Sequence, residues 1–418
     1  MHMIEVEIEK LVHGGQGLGV LPDGRKVFVW GALPGETVRV RLIKAKRQYA
    51  EAIAEEVVTA SPLRLAPRES NYLATSPWQI LPLAAENDYK KRIVEELFVQ
   101  AHVTLPDFVM TTTGDEWHYR NKMEYSFWGD DDGLHLALHN RGSHQKTIVE
   151  GSELALPAID KAARAIVAEL SKHNPRAGDL KTIIVRCNQQ GEAVVALFVK
   201  LKSFVDLTLP DGVKGLRVYH SNPKSPASVP TKLLYEKGDA QLHDTLLGTS
   251  FTYDVDSFFQ VNVPVFETAL SRIKERCADA ATLVDMYAGV GSIGLSVASG
   301  AVTSVELDVA TAAMARVNAD ASALDVTVVE TSSEKALDYI TANKSVIFDP
   351  PRAGLHDKVV ARTLEVKPPQ LVYLSCNPAT QARDLAKLQE AYEITYFEGF
   401  NFFPHTPHIE TLAILKAR

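Results

Sequence analysis

The chain has 418 residues, a formal net charge of −8, and 46% hydrophobic and 23% charged residues. These values are typical of a globular protein large enough for two or three domains, each with its own core. The acidic balance excludes nucleic-acid binding through overall charge, so any such binding would need a local basic patch.

The cysteines and the lengths of the apolar runs indicate the cellular compartment of the protein. The three cysteines, Cys187, Cys277 and Cys376, form no CxxC pattern. This favours a reducing, cytoplasmic location without disulfides. The first residues lack the basic-then-apolar order of a signal peptide, and no run of about 18 apolar residues occurs. We therefore expect no membrane contact.

Residues 1–59 carry the pattern of a small OB-like β-barrel. Short strand candidates are separated by turns rich in glycine and proline, as in small barrels. The strands are expected at residues 4–9, 27–30, 38–43 and 49–58. A basic run at residues 39–47 is open to two interpretations, a solvated strand face or a surface that contacts the RNA backbone.

Residues 60–255 predict a linker, a helix and a central α+β domain with an antiparallel sheet. Residues 61–82 are irregular and rich in proline. Helices are expected at residues 84–101 and 157–172, and a hairpin of two strands at 180–186 and 193–200. The candidates for phosphate contacts are Arg120, Lys122, Arg141 and His144, with solvated surface charges as the alternative.

Residues 256–418 alternate strand and helix candidates, which predicts a Rossmann-like α/β domain with a mostly parallel sheet. A strand at residues 282–285 runs into a glycine-rich turn, as in nucleotide-binding folds. Gly289 and Gly291 allow the tight turn and a close backbone approach to a ligand. Glu306 ends the next strand and is placed to accept hydrogen bonds from ribose hydroxyls. Both NAD and S-adenosylmethionine fit this pattern.

Three further stretches predict loops that carry chemistry. They are Asp-Pro-Pro-Arg at 349–352, Ser-Cys-Asn-Pro at 375–378 and His-Thr-Pro-His-Ile-Glu at 405–410. The first two follow apolar strand candidates, so they belong at the carboxyl edge of the sheet, where ligands bind. Cys376 is a candidate nucleophile there, although a lone cysteine is more often a small buried side chain.

Together these motifs resemble the RNA uracil-C5 methyltransferase family. The resemblance includes Phe-Phe-Gln-Val-Asn at 258–262 and Asp-Met-Tyr-Ala-Gly-Val-Gly at 285–291, and it spans nearly the whole chain. The glycine-rich start at 13–19 is similar to a TRAM domain, a small RNA-binding barrel. This start is typical of the branch that acts on 23S ribosomal RNA.

The sequence departs from that branch in lacking cysteines that could bind a metal cluster. Many of its members hold a [4Fe–4S] centre through four cysteines that follow the TRAM domain. Residues 62–91 contain no cysteine, and Ser152 stands where a fourth ligand is expected. We therefore expect neither an iron–sulfur cluster nor another metal site.

The resemblance implies a chemistry and a set of residues. The cofactor is S-adenosyl-L-methionine (SAM), Cys376 adds to uracil C6, and Glu410 removes the C5 proton. The implied cofactor contacts are Gln260, Tyr287, Gly289, Gly291, Ser292, Glu306 and Asp349. The implied substrate contacts are Phe258, Arg352, Arg120 and Lys122, with the target base flipped out of its stack.

The substrate expected from the resemblance is ribosomal RNA, modified to 5-methyluridine by a monomeric enzyme. Three alternatives stay open at this point. They are a transfer-RNA uridine-C5 methyltransferase, a non-catalytic RNA-binding factor for ribosome assembly, and an NAD-dependent oxidoreductase. The last one depends on the glycine-rich turn alone, which is weak evidence.

Overall fold

The computed structural model describes residues 4–143, 145–277 and 282–418. It begins with a closed five-stranded barrel of strand order β1-β2-β3-β5-β4. The strands are β1 Ile4–Leu11, β2 Gly17–Val20, β3 Lys26–Trp30, β4 Thr37–Ala45 and β5 Tyr49–Thr59. Alternate side chains such as Val27, Val29 and Val38 are fully buried inside the barrel. The predicted OB-like barrel is therefore confirmed.

The basic run of the barrel is paired with acidic neighbours. Arg39 forms ion pairs with Glu5 and Glu56, at 3.0 and 2.8 Å. Further along the same strand, Arg41 pairs with Glu55 at 2.6 Å and Lys44 with Glu51 at 2.7 Å. These three cations are already compensated, which weakens the interpretation of this strand as a free phosphate-binding face.

A connecting segment leads from the barrel into the C-terminal domain. It contains α1 Tyr72–Thr75, α2 Leu83–Gln100 and β6 Met110–Thr111. The predicted helix is present, and its apolar face packs Val94 and Phe98 into one core with Leu385 and Phe397. Strand β6 pairs with a C-terminal strand at the edge of the sheet. The predicted boundaries place this segment with the central domain, whereas its apolar face is buried against the C-terminal one.

The central domain is a seven-stranded sheet with one helix packed on it. Its elements are β7 Lys122–Asp130, β8 Gly133–His139, β9 Lys146–Ile148, α3 Pro157–Ser171, β10 Leu180–Cys187, β11 Ala193–Val199, β12 Gly215–His220 and β13 Lys232–Gly238. The strand order is β13-β12-β11-β10-β7-β8-β9. All pairs are antiparallel except β11 with β12, so the sheet is mixed and not purely antiparallel as expected. The long connection between these two strands provides the crossover that a parallel pair needs.

A hairpin that we did not predict precedes the C-terminal domain. It consists of β14 Gln241–Leu246 and β15 Thr249–Asp254. Leu242 and Phe251 are fully buried in a core with Leu283 and Val372 of the C-terminal domain. The hairpin therefore packs with the C-terminal domain, although we had drawn the boundary after it.

The C-terminal domain is a Rossmann-like α/β unit, as predicted. Its elements are α4 Val263–Arg276, β16 Thr282–Met286, α5 Ser292–Val297, β17 Ala301–Glu306, α6 Val309–Ala321, β18 Val326–Glu330, β19 Ser345–Phe348, α7 Asp357–Val366, β20 Gln370–Ser375, α8 Pro378–Leu388, β21 Tyr392–Phe400 and β22 Glu410–Ala417. The strand order is β18-β17-β16-β19-β20-β22-β21-β6. Because β16 to β20 are parallel, the residues that follow them meet at one edge of the sheet.

No helix within the described ranges is both long enough and apolar enough to cross a membrane.

Candidate active site

A cavity of about 1250 Å³ opens at the carboxyl edge of the parallel strands. Its wall brings together ten of the residues that we predicted from sequence. They are Phe258, Gln260, Tyr287, Gly289, Ser292, Glu306, Asp349, Arg352, Cys376 and Glu410. Gly291 lies in the same glycine turn without forming part of the wall. Segments that are far apart in the chain thus converge on one site.

The glycine turn after β16 forms one end of the cavity, which we call the glycine half. Gly289 and Gly291 have φ angles of +58° and +87°, a region that favours glycine. Both oxygens of the Glu306 carboxylate are fixed by backbone amides, Gly289 N at 2.9 Å and Asp308 N at 2.8 Å. The carboxylate is therefore held in one orientation at the wall.

Further groups of the glycine half are suited to a nucleoside. Leu307 lines the wall and is 66% exposed, which leaves an apolar surface open to a ligand. The Ser333 hydroxyl donates a hydrogen bond to the Tyr287 hydroxyl at 2.8 Å. Behind the turn, the fully buried Asp285 accepts a hydrogen bond from Gly294 N at 2.8 Å. Burial raises the pKa of Asp285 to about 7.

The opposite end of the cavity, which we call the cysteine half, contains a thiol and two carboxyl groups. Cys376 directly follows β20, Asp349 directly follows β19, and Glu410 is the first residue of β22. Burial and the carboxylates of Glu410 and Asp349 raise the pKa of the Cys376 thiol to about 12. Burial and then Asp349 also raise the pKa of Glu410 well above its usual range. Burial and the neighbouring carboxylates therefore disfavour the ionised forms of Cys376 and Glu410.

Arg352 brings a positive charge to the cysteine half. Its charge lowers the pKa of both Cys376 and Glu410, opposing the larger effect of burial. Its Nη2 lies 3.1 Å from Nδ1 of His408, and burial lowers the pKa of that histidine to about 3. The backbone carbonyl of Arg352 accepts a hydrogen bond from Asn377 Nδ2 at 2.8 Å. This bond ties the loop after β19 to the loop that carries the thiol.

The central domain holds the loop that carries Phe258. Arg186 is almost fully buried and donates to the carbonyl of Ser257 at 2.8 Å. Asn121 donates its side-chain amide to the carbonyl of Gln260 at 2.9 Å. Between these anchors Phe258 remains 59% exposed at the cavity wall. An exposed phenyl ring on a fixed backbone is suited to stack on a planar ligand.

The remaining predicted RNA contacts lie outside the cavity wall. The Arg120 guanidinium is 6.0 Å from the centre of the Phe403 ring, so it lies beside the cavity. Burial and the charge of Arg186 lower the pKa of Lys122 to about 8. Arg141 lies 3.9 Å from the Trp30 ring of the barrel. His144 lies outside the described residues.

Sequence reasoning missed the residues that hold these loops. Arg186 and Asn121 act on backbone carbonyls more than 70 residues away, so no local motif marks them. Buried Glu86 and Lys90 of α2 pair at 2.8 Å, and the Glu86 carboxylate also accepts from His405 N at 2.8 Å. Charged side chains at core positions of an amphipathic helix were the available signal.

The described part of the chain contains no group of three or more His, Cys, Asp or Glu side chains arranged to hold a metal ion. Next to Ser152, polar side chains join the segment that follows the barrel to the central domain. Gln79 donates to Glu69 at 2.6 Å and to the Ser76 hydroxyl at 2.7 Å. Glu69 also accepts a hydrogen bond from the backbone of Glu153 at 3.0 Å.

Two family profiles match the sequence. Residues 239–418 match the profile described as tRNA (Uracil-5-)-methyltransferase, and residues 2–54 match the TRAM domain. The second match coincides with the closed barrel. The first includes the unpredicted hairpin together with the C-terminal domain.

Curated relatives match over nearly the whole chain. A protein of Enterococcus faecalis named an uncharacterized RNA methyltransferase is 30% identical over 445 residues, covering 99% of this chain and 97% of the relative. One of Lactiplantibacillus plantarum with the same name is 29% identical over 450 residues, with 99% and 97% covered.

Among solved structures, the Pyrococcus abyssi tRNA (uracil-54, C5)-methyltransferase in complex with S-adenosyl-L-homocysteine is similar in fold. The TM-score is 0.75 at 23% identity, and 99% of this chain and 100% of that chain are covered. This likeness extends over the barrel, the central domain and the C-terminal domain.

Proposed function

Because the chain belongs to the RNA uracil-C5 methyltransferase family, and is thus a SAM-dependent RNA methyltransferase, we propose that it converts a specific uridine of ribosomal RNA to 5-methyluridine. In this proposal Cys376 is the nucleophile and Glu410 the general base. The observation that carries the proposal is the convergence of Cys376, Glu410 and Asp349 on one cavity with a glycine turn.

The polar and apolar groups of the glycine half fit SAM. The fixed Glu306 carboxylate can accept hydrogen bonds from ribose hydroxyls, and the open Leu307 side chain suits an adenine face. Gln260 and Asp349 supply further polar groups at the cavity wall. Negative carboxylates also suit a positively charged sulfonium compound. These residues, with Tyr287, Gly289 and Ser292, would hold the cofactor.

The reaction begins with activation of the pyrimidine ring. Uracil C5 is a weak nucleophile until a thiolate adds to C6 and converts the ring to an enolate. Because the pKa of the Cys376 thiol is raised, the thiol gives its proton to solvent as the uridine enters, and the charge of Arg352 stabilises the thiolate. When bound, SAM would supply an electrophilic methyl group to C5 of the enolate, and its S–CH3 bond would break to release S-adenosyl-L-homocysteine.

The second half of the reaction releases the product. C5 then carries both a proton and a methyl group, and the Glu410 carboxylate accepts that proton. The electron pair of the broken C–H bond restores the C5–C6 double bond and expels the Cys376 sulfur. A carboxylate with a raised pKa is the stronger base once it is ionised, which suits Glu410 to this step.

Flipping of the uridine is part of the proposal. C6 must be approached from above the ring plane, which stacked neighbouring bases would block. Phe258 is exposed at the wall and its backbone is fixed by Arg186 and Asn121, so its ring could stack on an extruded base. Arg120 beside the cavity, together with Lys122 of the central domain, is our candidate for contacts with the flanking phosphates.

Transfer RNA is the second candidate substrate. The family profile takes its name from tRNA, and the similar Pyrococcus abyssi structure is that of a tRNA (uracil-54, C5)-methyltransferase. The TRAM barrel supports an RNA partner in either case.

Mass spectrometry of nucleosides tests the proposal. Unmodified ribosomal RNA and transfer RNA are incubated separately with the protein and SAM, with Cys376→Ala as the control. We expect 5-methyluridine in ribosomal RNA alone. A signal only in transfer RNA would select the second candidate, and no signal in either RNA despite SAM binding would favour the non-catalytic binding factor.

A further inference from the structure

The loop before Glu410 is held by residues from every domain. We call residues 402–409 the base loop. Four of its backbone carbonyls accept hydrogen bonds from outside the loop: Phe402 O from Asn262 Nδ2 at 2.9 Å, Phe403 O from Lys90 Nζ at 3.3 Å, Pro404 O from Tyr119 Oη at 3.0 Å and His405 O from Trp78 N at 3.0 Å. His405 has a φ of +63°, an unfavourable conformation for a residue other than glycine. The surroundings therefore impose the shape of this loop.

The barrel touches the base loop through its first turn. We call residues 12–16 the barrel turn, which is closed by hydrogen bonds from Val12 N to Gln16 O at 3.0 Å and from Gly15 N to Val12 O at 2.9 Å. Gly15 lies so close to Pro407 that a Cβ added at Gly15 would be 2.3 Å from the Cβ of Pro407. Only a glycine fits this contact.

Trp78, from the segment that follows the barrel, stabilises the contact between the barrel turn and the base loop. Its indole Nε1 donates to the carbonyl of Gly15 at 3.0 Å, and its backbone N–H donates to the carbonyl of His405 at 3.0 Å. The side chain is 1% exposed, so both bonds are protected from water. One rigid residue thus joins the barrel turn to the base loop.

We infer that Gly15 of the barrel turn and Trp78 are positioning residues for the proposed base Glu410, so that the barrel is part of the catalytic scaffold as well as an RNA-binding module. This inference rests on the proposed function. Pro407 is three residues before Glu410, and Ile409 between them is buried in the core. A displacement of Pro407 is therefore transmitted to the carboxylate along three residues of backbone. Cys376 lies on a separate loop after β20 and is linked to the base loop indirectly, through Arg352 and His408.

Two neighbouring glycines offer a matched test. Gly14 and Gly15 have nearly equal φ angles, +94° and +95°, so alanine imposes similar backbone strain at either position. A Cβ at Gly14 has no atom within 4 Å, whereas a Cβ at Gly15 collides with Pro407. Comparing Gly15→Ala with Gly14→Ala therefore isolates the contact with the base loop.

The experiment measures two steps separately in the full-length protein. Rapid quenching follows the transfer of labelled methyl from SAM to RNA, and denaturing electrophoresis follows the covalent protein–RNA adduct. Gly15→Ala should resolve the adduct roughly 10- to 100-fold more slowly, the usual cost of a small displacement of a catalytic group. Methyl transfer should stay within about twofold of wild type, and Gly14→Ala should resemble wild type in both steps.

Trp78→Phe is the second variant, because it keeps an aromatic ring and removes the donor to Gly15 O. It should also accumulate adduct, even if Gly15→Ala fails to fold. Glu410→Gln serves as the reference for full accumulation. The positioning role alone is overturned if Gly15→Ala resolves the adduct as fast as Gly14→Ala does while Glu410→Gln accumulates it. If Gly15→Ala does not fold, the same comparison is made with Trp78→Phe. If Glu410→Gln accumulates none, Glu410 is not the base and the positioning role falls with it.

Discussion

The two halves of the cavity differ in how their polar groups are satisfied. In the glycine half, the Glu306 carboxylate is fixed by two backbone amides. One belongs to Asp308, two residues further along the chain, and the other to Gly289, in the turn after the neighbouring strand β16. In the cysteine half, burial and neighbouring carboxylates raise the pKa of Cys376 and that of Glu410, with Arg352 as the opposing charge. The carboxylate of the glycine half is satisfied by fixed hydrogen bonds, whereas the acidic groups of the cysteine half are disfavoured in their ionised forms.

This difference separates binding from chemistry. A group that is already hydrogen-bonded in the right orientation binds a ligand with little reorganisation. A general base gains from a raised proton affinity, which burial and like charges provide, whereas a thiol nucleophile needs a nearby cation to favour its thiolate. We therefore expect substitutions in the glycine half to change SAM affinity and those in the cysteine half to change reaction steps.

The largest effect is expected for Cys376→Ala. Removal of the nucleophile should reduce turnover roughly 10⁴-fold or more, as for other enzymes that form covalent intermediates. SAM affinity, measured by calorimetry, should remain within about twofold because the glycine half is untouched. Cys277→Ala is the control, since that thiol is buried in the core away from the cavity. Activity close to wild type in Cys376→Ala would refute covalent catalysis by this residue.

Glu410→Gln should have the next largest effect. Turnover should fall roughly 10²- to 10⁴-fold, the usual contribution of a general base. Unlike Cys376→Ala, this variant should still transfer the methyl group and should then accumulate a covalent protein–RNA adduct. A variant that neither methylates nor forms adduct would place Glu410 in the first half of the reaction instead.

Glu306→Gln tests the glycine half. Loss of the charge at a fixed hydrogen-bond acceptor costs about 1.5–3 kcal/mol, so the Kd for SAM should rise roughly 10- to 100-fold. The rate at saturating SAM should be nearly unchanged. The matched control is Glu330→Gln, at the end of the neighbouring strand β18 and outside the cavity wall. A lower saturated rate with unchanged SAM affinity would reverse the assignment of the two halves.

The smallest effect concerns the reactivity of the thiol. Because the pKa of Cys376 is raised to about 12, the thiolate is the minor form at neutral pH. Its fraction, and with it the rate of alkylation by iodoacetamide, should rise about tenfold per pH unit from about pH 7 to 10 without a plateau. Glu410→Gln should increase the rate several-fold at high pH, since one repelling charge is removed. A plateau near pH 8 in the wild type would contradict the charge arrangement described here.

Much of the site could be predicted because its groups follow short local signals. Gly289 and Gly291 mark a turn that needs positive φ, and Glu306, Asp349 and Cys376 each end or follow an apolar strand. Parallel strands bring such positions to the same edge without further information. The barrel was also readable, because alternating strands and glycine turns define it locally.

The unpredicted parts depend on contacts between distant segments. The bonds from Trp78 to Gly15 and His405 link positions 63 and more than 300 residues apart, and no periodicity records them. The sequence did not show that α2 packs on the C-terminal domain for the same reason, because an apolar helix face does not indicate which domain will cover it. The hairpin β14–β15 was a different case, because Gly248 with a φ of +86° marks its turn and the flanking alternation was visible.

The most direct test of the two-half cavity is to trap and map the covalent intermediate. RNA containing 5-fluorouridine cannot lose its C5 substituent as a proton, so the adduct should persist after methyl transfer. After digestion, mass spectrometry should find a methylated fluorouridine fragment on the peptide that contains Cys376, and only when SAM is present. A fragment on any other residue, or no adduct while ordinary RNA is methylated, would contradict the account.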